Sequence, residues 1–204
     1  MAARSLHDRL PLAQGVTERC STRVDGIADE PAWSGADVPA EHAIRGFHGI
    51  TLLLRDAGPT AAILEDVFGF TERGREGHLI RFGAGPGGFG RFVDIRAAGD
   101  LLPGRMGGGS VHHVAFRATD DAAQAAMARK LAETHRIRTT EQKDRNYFRS
   151  VYFREPGGVL FEIATDQPGF AADEPVESLG QALKLPPFLE SHRSKIEAVL
   201  PELV

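Results

Sequence analysis

Apolar and polar positions alternate in two stretches of this chain according to one shared plan. From Gly46, FHGITLLL is an apolar run of strand length. GPTAAILEDVFGF follows, with Pro59 and Thr60 in the first turn and Gly69 as a stop, which predicts a short helix. HLIRFGA and FGRFVDIRA read as strands around the Gly-rich turn GPGG, and TERGREG supplies part of a further strand edge. From Ser110 the plan repeats. SVHHVAFRA is a strand, and Asp120 caps a helix whose apolar positions are Ala122, Ala125, Met127 and Leu131. RSVYF and VLFEIAT are strands joined by the tight turn REPGGV. Laying GITL on HVAF and FVDI on LFEI brings helices, turns and strands into register, so the chain carries an internal duplication.

The flanks are less regular. Residues 1–45 read as the end of one domain followed by a linker: a short strand at Leu10 to Val16, then DGIADEPAWSGADVPAEHA, rich in Pro, Gly, Asp and Ala. Trp33 is expected to pack on a neighbouring surface. After the duplicated region, 46–168 (modules 46–100 and 110–168), residues 169–204 form a tail expected to cover the repeats. It is punctuated by Pro and Gly and is predicted to end in a helix from about Phe188 to Leu200, with Glu190, Arg193 and Glu197 on a solvated face.

Composition narrows the classes. A chain of 204 residues, 42% hydrophobic and 25% charged, suits one compact domain with tails. The net charge is -4 and no Lys/Arg run is interleaved with aromatics, which argues against nucleic acid. The one cysteine, Cys20, excludes an internal disulfide or a thiolate cluster and fits a reducing compartment. No secretory apolar core and no membrane-length apolar run is present, so a cytoplasmic location is expected.

Two residues stand out against their strands. His113 and Glu162 sit where a buried strand would favour an apolar side chain, and burying an unpartnered carboxylate is costly. Strand alternation puts His112 and His113 on opposite faces, so only one of them would ligate a metal. Glu162 shares a face with Leu160 and Ala164, and Tyr152 pairs close to it across the REPGGV hairpin. Plainer readings stand beside these: His113 as a hydrogen-bonded core residue, Arg145 paired with Asp144, Tyr152 as an edge aromatic. Asp94 takes Glu162's place in the first module and reads as a cap or an arginine partner. GPGG and EPGG lead into no helix, so they are hairpin turns and not phosphate loops.

Duplicated strand-helix-strands modules with His on a first strand and Glu on a last one resemble the vicinal oxygen chelate superfamily, which includes glyoxalases and extradiol dioxygenases. DRNYFRSVYFREPGGVLFEIATDQPGF followed by LGQALKLPP closely resembles the C-terminal half of ring-cleaving dioxygenases that open para-hydroquinones. The resemblance implies an α+β fold of two paired βαβββ modules forming a curved mixed sheet around a metal cleft. It implies iron(II) held by two His and one Glu, with open positions for an aromatic substrate and O2. By position, His113 and Glu162 are metal ligands, and His112, Arg145 and Tyr152 surround the substrate.

The pattern departs from the family at the third ligand. In register, Gly49 takes the ligand position and His48 matches His112, so His48 faces the wrong way. In the hydroquinone enzymes the missing His comes from an N-terminal half. The chain is therefore expected to be a truncated half inactive alone, to dock with a separate N-terminal half, or to form a homo-oligomer that uses His48 after a strand shift. A glyoxalase-like lyase or isomerase, or a non-catalytic small-molecule-binding module, are the competing readings.

Overall fold

The structure is a computed structural model that describes residues 15–18, 38–39, 42–43, 46–85, 90–100 and 107–201. After a short strand β1 (Gly15–Glu18), the first module runs β2 (Gly49–Leu54), α1 (Gly58–Asp66), β3 (Thr71–Glu76), β4 (Leu79–Gly83) and β5 (Phe92–Ala97). The second runs β6 (Val114–Ala118), α2 (Asp121–His135), β7 (Lys143–Asp144), β8 (Arg149–Arg154) and β9 (Leu160–Thr165). Each module is βαβββ with its own mixed sheet, in the orders β1-β2-β5-β4-β3 and β6-β9-β8-β7. In both, the first strand lies parallel to the last, a pairing that needs a crossover and receives it from the helix.

The duplication holds strand for strand. Thr51 pairs with Asp94 and Ala115 with Glu162 in the parallel ladders; Arg81 pairs with Asp94 and Tyr152 with Glu162 in the antiparallel ones. TERGREG, expected to give part of an edge, forms the whole of β3. Of the expected strand at Leu10 to Val16, only 15–16 lie within β1, and the remainder is outside the described residues, as are Cys20, Trp33 and most of the GPGG turn.

Local signals explain the helix ends. Pro59 sits in the first turn of α1, and Gly69 closes it at φ 69°, a left-handed conformation that glycine adopts without steric cost. The Asp120 carboxylate accepts from Ala123 N at 2.8 Å to cap α2. The buried stripe of α2 differs from the expected one. Gln124 and Leu131 are buried and Ala123 and Met127 partly so, whereas Ala122 and Ala125 face solvent. Gln124 is tolerated inside because its amide donates to the carbonyls of Arg149 (3.0 Å) and Ile163 (2.7 Å), tying α2 to β8 and β9.

One core joins the modules: Leu52, Ile63, Leu64, Phe82 and Ile95 from the first, Phe116, Leu131, Phe153, Phe161 and Ile163 from the second. Phe68 stacks on Phe116 with ring centroids 4.0 Å apart. A polar clasp adds to it. Glu155, 2% exposed, accepts from Thr60 Oγ1 of α1 and from the backbone N–H groups of Gly157 and Val159.

The helix expected from about Phe188 to Leu200 is broken, with α-helix only at Arg193–Glu197, and the rest of the tail is irregular as expected. The tail forms 3-10 turns at Phe170–Ala172, Val176–Ser178 and Pro187–His192 before a short α3 (Arg193–Glu197), because Pro175, Pro186 and Pro187 break the hydrogen-bond ladder. Arg193 does bridge Glu190 (2.7 Å) and Glu197 (3.1 Å), as the solvated face predicts. None of these four elements contains a buried residue, so they do not join the modules' core.

Candidate metal centre

The site grows from the β8–β9 hairpin. Its turn is closed by Glu155 N donating to Val159 O, with Gly158 at φ 94°, and this length sets Tyr152 opposite Glu162. The Tyr152 hydroxyl donates to Glu162 Oε1 at 2.9 Å. His113, just ahead of β6, brings Nε2 to 2.7 Å from Glu162 Oε2. The carboxylate is only 3% exposed while the imidazole is 35% exposed, so the buried charge is met from both sides and the ring opens to solvent.

Around the phenol, Arg145 Nη2 lies 3.3 Å and Ser150 Oγ 3.2 Å from the Tyr152 oxygen. Arg145 is presented by a tight loop in which its N–H donates to Phe148 O and Asn146 adopts φ 70°. Asp144 receives the Asn146 N–H at 2.8 Å and caps that loop, and the Arg145 guanidinium hydrogen-bonds the phenol. The guanidinium carbon also lies 5.6 Å from the Tyr152 ring centroid.

The two histidines contradict simple alternation. β6 begins at Val114, so His112 and His113 both precede the regular strand; their Nδ1 atoms are 2.9 Å apart and their rings perpendicular. His112 thus sits against the ring of His113. The Nδ1 contact makes one histidine the donor and the other the acceptor, according to their tautomers.

The donor set fits part of a metal site. An imidazole nitrogen and a buried carboxylate oxygen stand 2.7 Å apart, a nitrogen and an oxygen donor of the kind that suit a cation. Among the described residues no group of three or more His, Cys, Asp and Glu side chains comes together, so these supply two donors. His48 does not join them. Its ring packs on Phe92 at 4.9 Å, and its pKa is lowered by burial and then by Arg81 and Arg91, against the raising influence of Asp94.

The first module shows the same framework without the pair. Gly49 stands at the position of His113, where an added Cβ would lie 2.7 Å from Phe92 O. Asp94 is held by Arg81 through two bonds of 2.8 and 2.7 Å, the arginine partner expected for it. Ser150 was not anticipated; RSVYF does place it on the face of Tyr152, two residues away.

This βαβββ pair and its polar sheet face are those of the Glyoxalase/Bleomycin resistance protein/Dioxygenase superfamily, whose profile matches residues 46–163; the chain belongs to that superfamily. A Bacillus subtilis relative named "Putative ring-cleaving dioxygenase MhqO" is 44% identical over 175 residues, 86% of this chain and 54% of its own length. The chlorohydroquinone/hydroquinone 1,2-dioxygenase of Sphingobium indicum is 36% identical over 166 residues, 80% of this chain and 51% of its own length. A crystal structure of a dioxygenase, so named with the same qualifier, from Bacillus subtilis matches with a TM-score of 0.76 and 43% identity, covering 84% of this chain and 55% of that one. The chain spans about half the length of the curated relatives it matches. Among the described residues no helix is long and apolar enough to cross a membrane.

Proposed function

We propose that this chain carries the metal-holding half of a ring-cleaving dioxygenase that opens hydroquinones with O2. The observation that carries the reading is the buried Glu162, whose Oε2 is offered to the half-exposed His113. The names of the relatives support the reaction class. His113 and Glu162 would hold iron(II), with a third donor supplied from outside the described residues. Iron(II) bound there would bring a ring hydroxyl and O2 together and relay electrons between them.

The remaining roles follow from the hydrogen bonds. Tyr152 keeps Glu162 Oε1 occupied and so leaves Oε2 for the metal. That makes the phenol first a positioning group for the ligand, and its ring, perpendicular to that of His113 with centroids 5.9 Å apart, walls one side of the site. His112 orients His113 through the Nδ1 contact. Arg145, exposed at the rim, offers a guanidinium to negative charge developing on a substrate oxygen.

Oxygen uptake tests the reading. Protein loaded anaerobically with iron(II) is mixed with hydroquinone and air, with and without free imidazole to stand in for the missing donor. The expected result is hydroquinone-dependent uptake that imidazole increases and Glu162→Gln removes. Uptake equal in Glu162→Gln, or metal-dependent turnover of a thiol adduct without O2, would overturn it, the second outcome in favour of a glyoxalase-like lyase.

A further inference from the structure

We infer that Ser150 is a positioning residue that fixes the direction of the Tyr152 hydroxyl, making it a donor to Glu162. Ser150 is completely buried, lies on β8 two residues before Tyr152 and so shares its face, and places Oγ 3.2 Å from the phenol oxygen. The phenol is the one side-chain partner of that hydroxyl among the described residues. A buried hydroxyl left without a partner is costly, so the serine proton belongs on the phenol oxygen.

The direction of the chain follows from counting protons. A phenol has one O–H and can accept from more than one donor. Arg145 can only donate, and Glu162, as a carboxylate, can only accept. If Tyr152 gave its proton to Ser150, Glu162 Oε1 would lose its donor inside a site that is 3% exposed, while Ser150 would need another acceptor. The charged acceptor holds the phenol proton more strongly. The order is therefore Ser150 to Tyr152 to Glu162, with Arg145 as a second donor to the phenol.

Ser150 is the better anchor of the two donors. Arg145 is exposed, on a long side chain, at 3.3 Å. Ser150 has a single short rotor on the backbone of a strand paired on both sides, with Lys143 and with Ala164. Hydrogen bonds in series also strengthen one another, so the serine donor makes the phenol a better donor to the carboxylate. The chemical purpose rests on the dioxygenase reading, in which Glu162 must offer one defined oxygen; the hydrogen bond itself can be read in metal-free protein. A plainer role, a small residue fitted beside a tyrosine, requires no hydroxyl.

The sequence has two tyrosines, so Tyr147→Phe leaves Tyr152 as the sole one. Ultraviolet resonance Raman spectra of that protein, without metal, report through the tyrosine Fermi doublet whether the phenol donates or accepts. Ser150→Ala in this background is expected to move the doublet intensity ratio toward that of a pure donor, and Ser150→Thr, which restores a hydroxyl, to return it to the parent value. Mn(II) affinity is expected to fall about tenfold in Ser150→Ala and to recover in Ser150→Thr, in the range seen when an outer partner of a metal ligand is removed. An unchanged ratio in folded Ser150→Ala, or a ratio that moves only in Arg145→Ala, would overturn the assignment. Should Ser150→Ala not fold, Ser150→Cys, of similar volume and with a weak donor, gives the same reading by a smaller shift. A Raman shift as expected together with absent hydroquinone-dependent O2 uptake would leave Ser150 in its role and overturn the dioxygenase reading alone.

Discussion

Tyr152 and Glu162 face each other across the β8–β9 hairpin, with the phenol O–H on Oε1 at 2.9 Å. The equivalent pair in the first module is Arg81 and Asp94, joined by two bonds. A guanidinium neutralises its carboxylate with a full charge and occupies both oxygens, whereas a neutral phenol engages one and leaves the other for a cation. The same framework thus yields a closed ion pair in one module and, in the other, a carboxylate shared between a phenol and an imidazole. Tyr152→Phe is expected to keep the fold, lower metal affinity about tenfold and slow turnover. Mn(II) titration of both proteins, with circular dichroism to verify folding, checks this.

Gly49 is excluded from becoming a ligand by its neighbours. An added Cβ would stand 2.7 Å from Phe92 O and 2.9 Å from Phe92 Cβ, in the backbone of the adjoining strand. Gly49→Ala should therefore cost about 1–3 kcal/mol through forced displacement of β5, read from urea unfolding. A neutral result would mean that the β2–β5 spacing is looser than described.

The clasp at Glu155 makes a stability prediction. Glu155→Ala removes the acceptor of Thr60 and of two turn N–H groups in a site 2% exposed. The loss should be about 2–4 kcal/mol, since hydrogen bonds to a charged group are worth more than neutral ones and buried donors are left unmet. Thr60→Val, which removes one of the three, should cost less. Equilibrium unfolding of the two variants gives the order.

His48 should make the protein less stable in mild acid. Its pKa lies below the ordinary 6.5, chiefly through burial and then through Arg81 and Arg91, with Asp94 opposing. The folded state resists taking the proton that the unfolded chain accepts, so stability is fully present above pH 6.5 and declines as pH falls from there through the folded-state value. Replacing His48 by Asn should flatten that part of the stability-against-pH curve. An unaltered slope would show that other groups set it.

Much of this was legible in the sequence because a repeat is self-checking. The alignment of GITL with HVAF and FVDI with LFEI predicted which positions of the two modules correspond, and the equivalent pairs Thr51–Asp94 and Ala115–Glu162 hold that correspondence in the parallel ladders. Tyr152 beside Glu162 followed from the short EPGG turn. Other features were hidden where physics is not local. The start of β6 at Val114 leaves two histidines side by side, against the two-residue alternation that a regular strand would impose. Gln124 reads as a surface residue until the two carbonyls that receive its amide are in place. Glu155 looks like a polar turn residue, and only packing against α1 buries it. Ser150, a small polar residue in an apolar strand, gains meaning from the phenol it touches.

The central claim is that His113 and Glu162 hold a metal ion, and equilibrium binding of iron(II) under anaerobic conditions tests it most directly. Wild-type protein is expected to bind one ion, weakly through the two donors found among the described residues and more tightly with added imidazole, and both His113→Ala and Glu162→Gln are expected to bind none. Retention of iron by Glu162→Gln at the wild-type level would contradict the account.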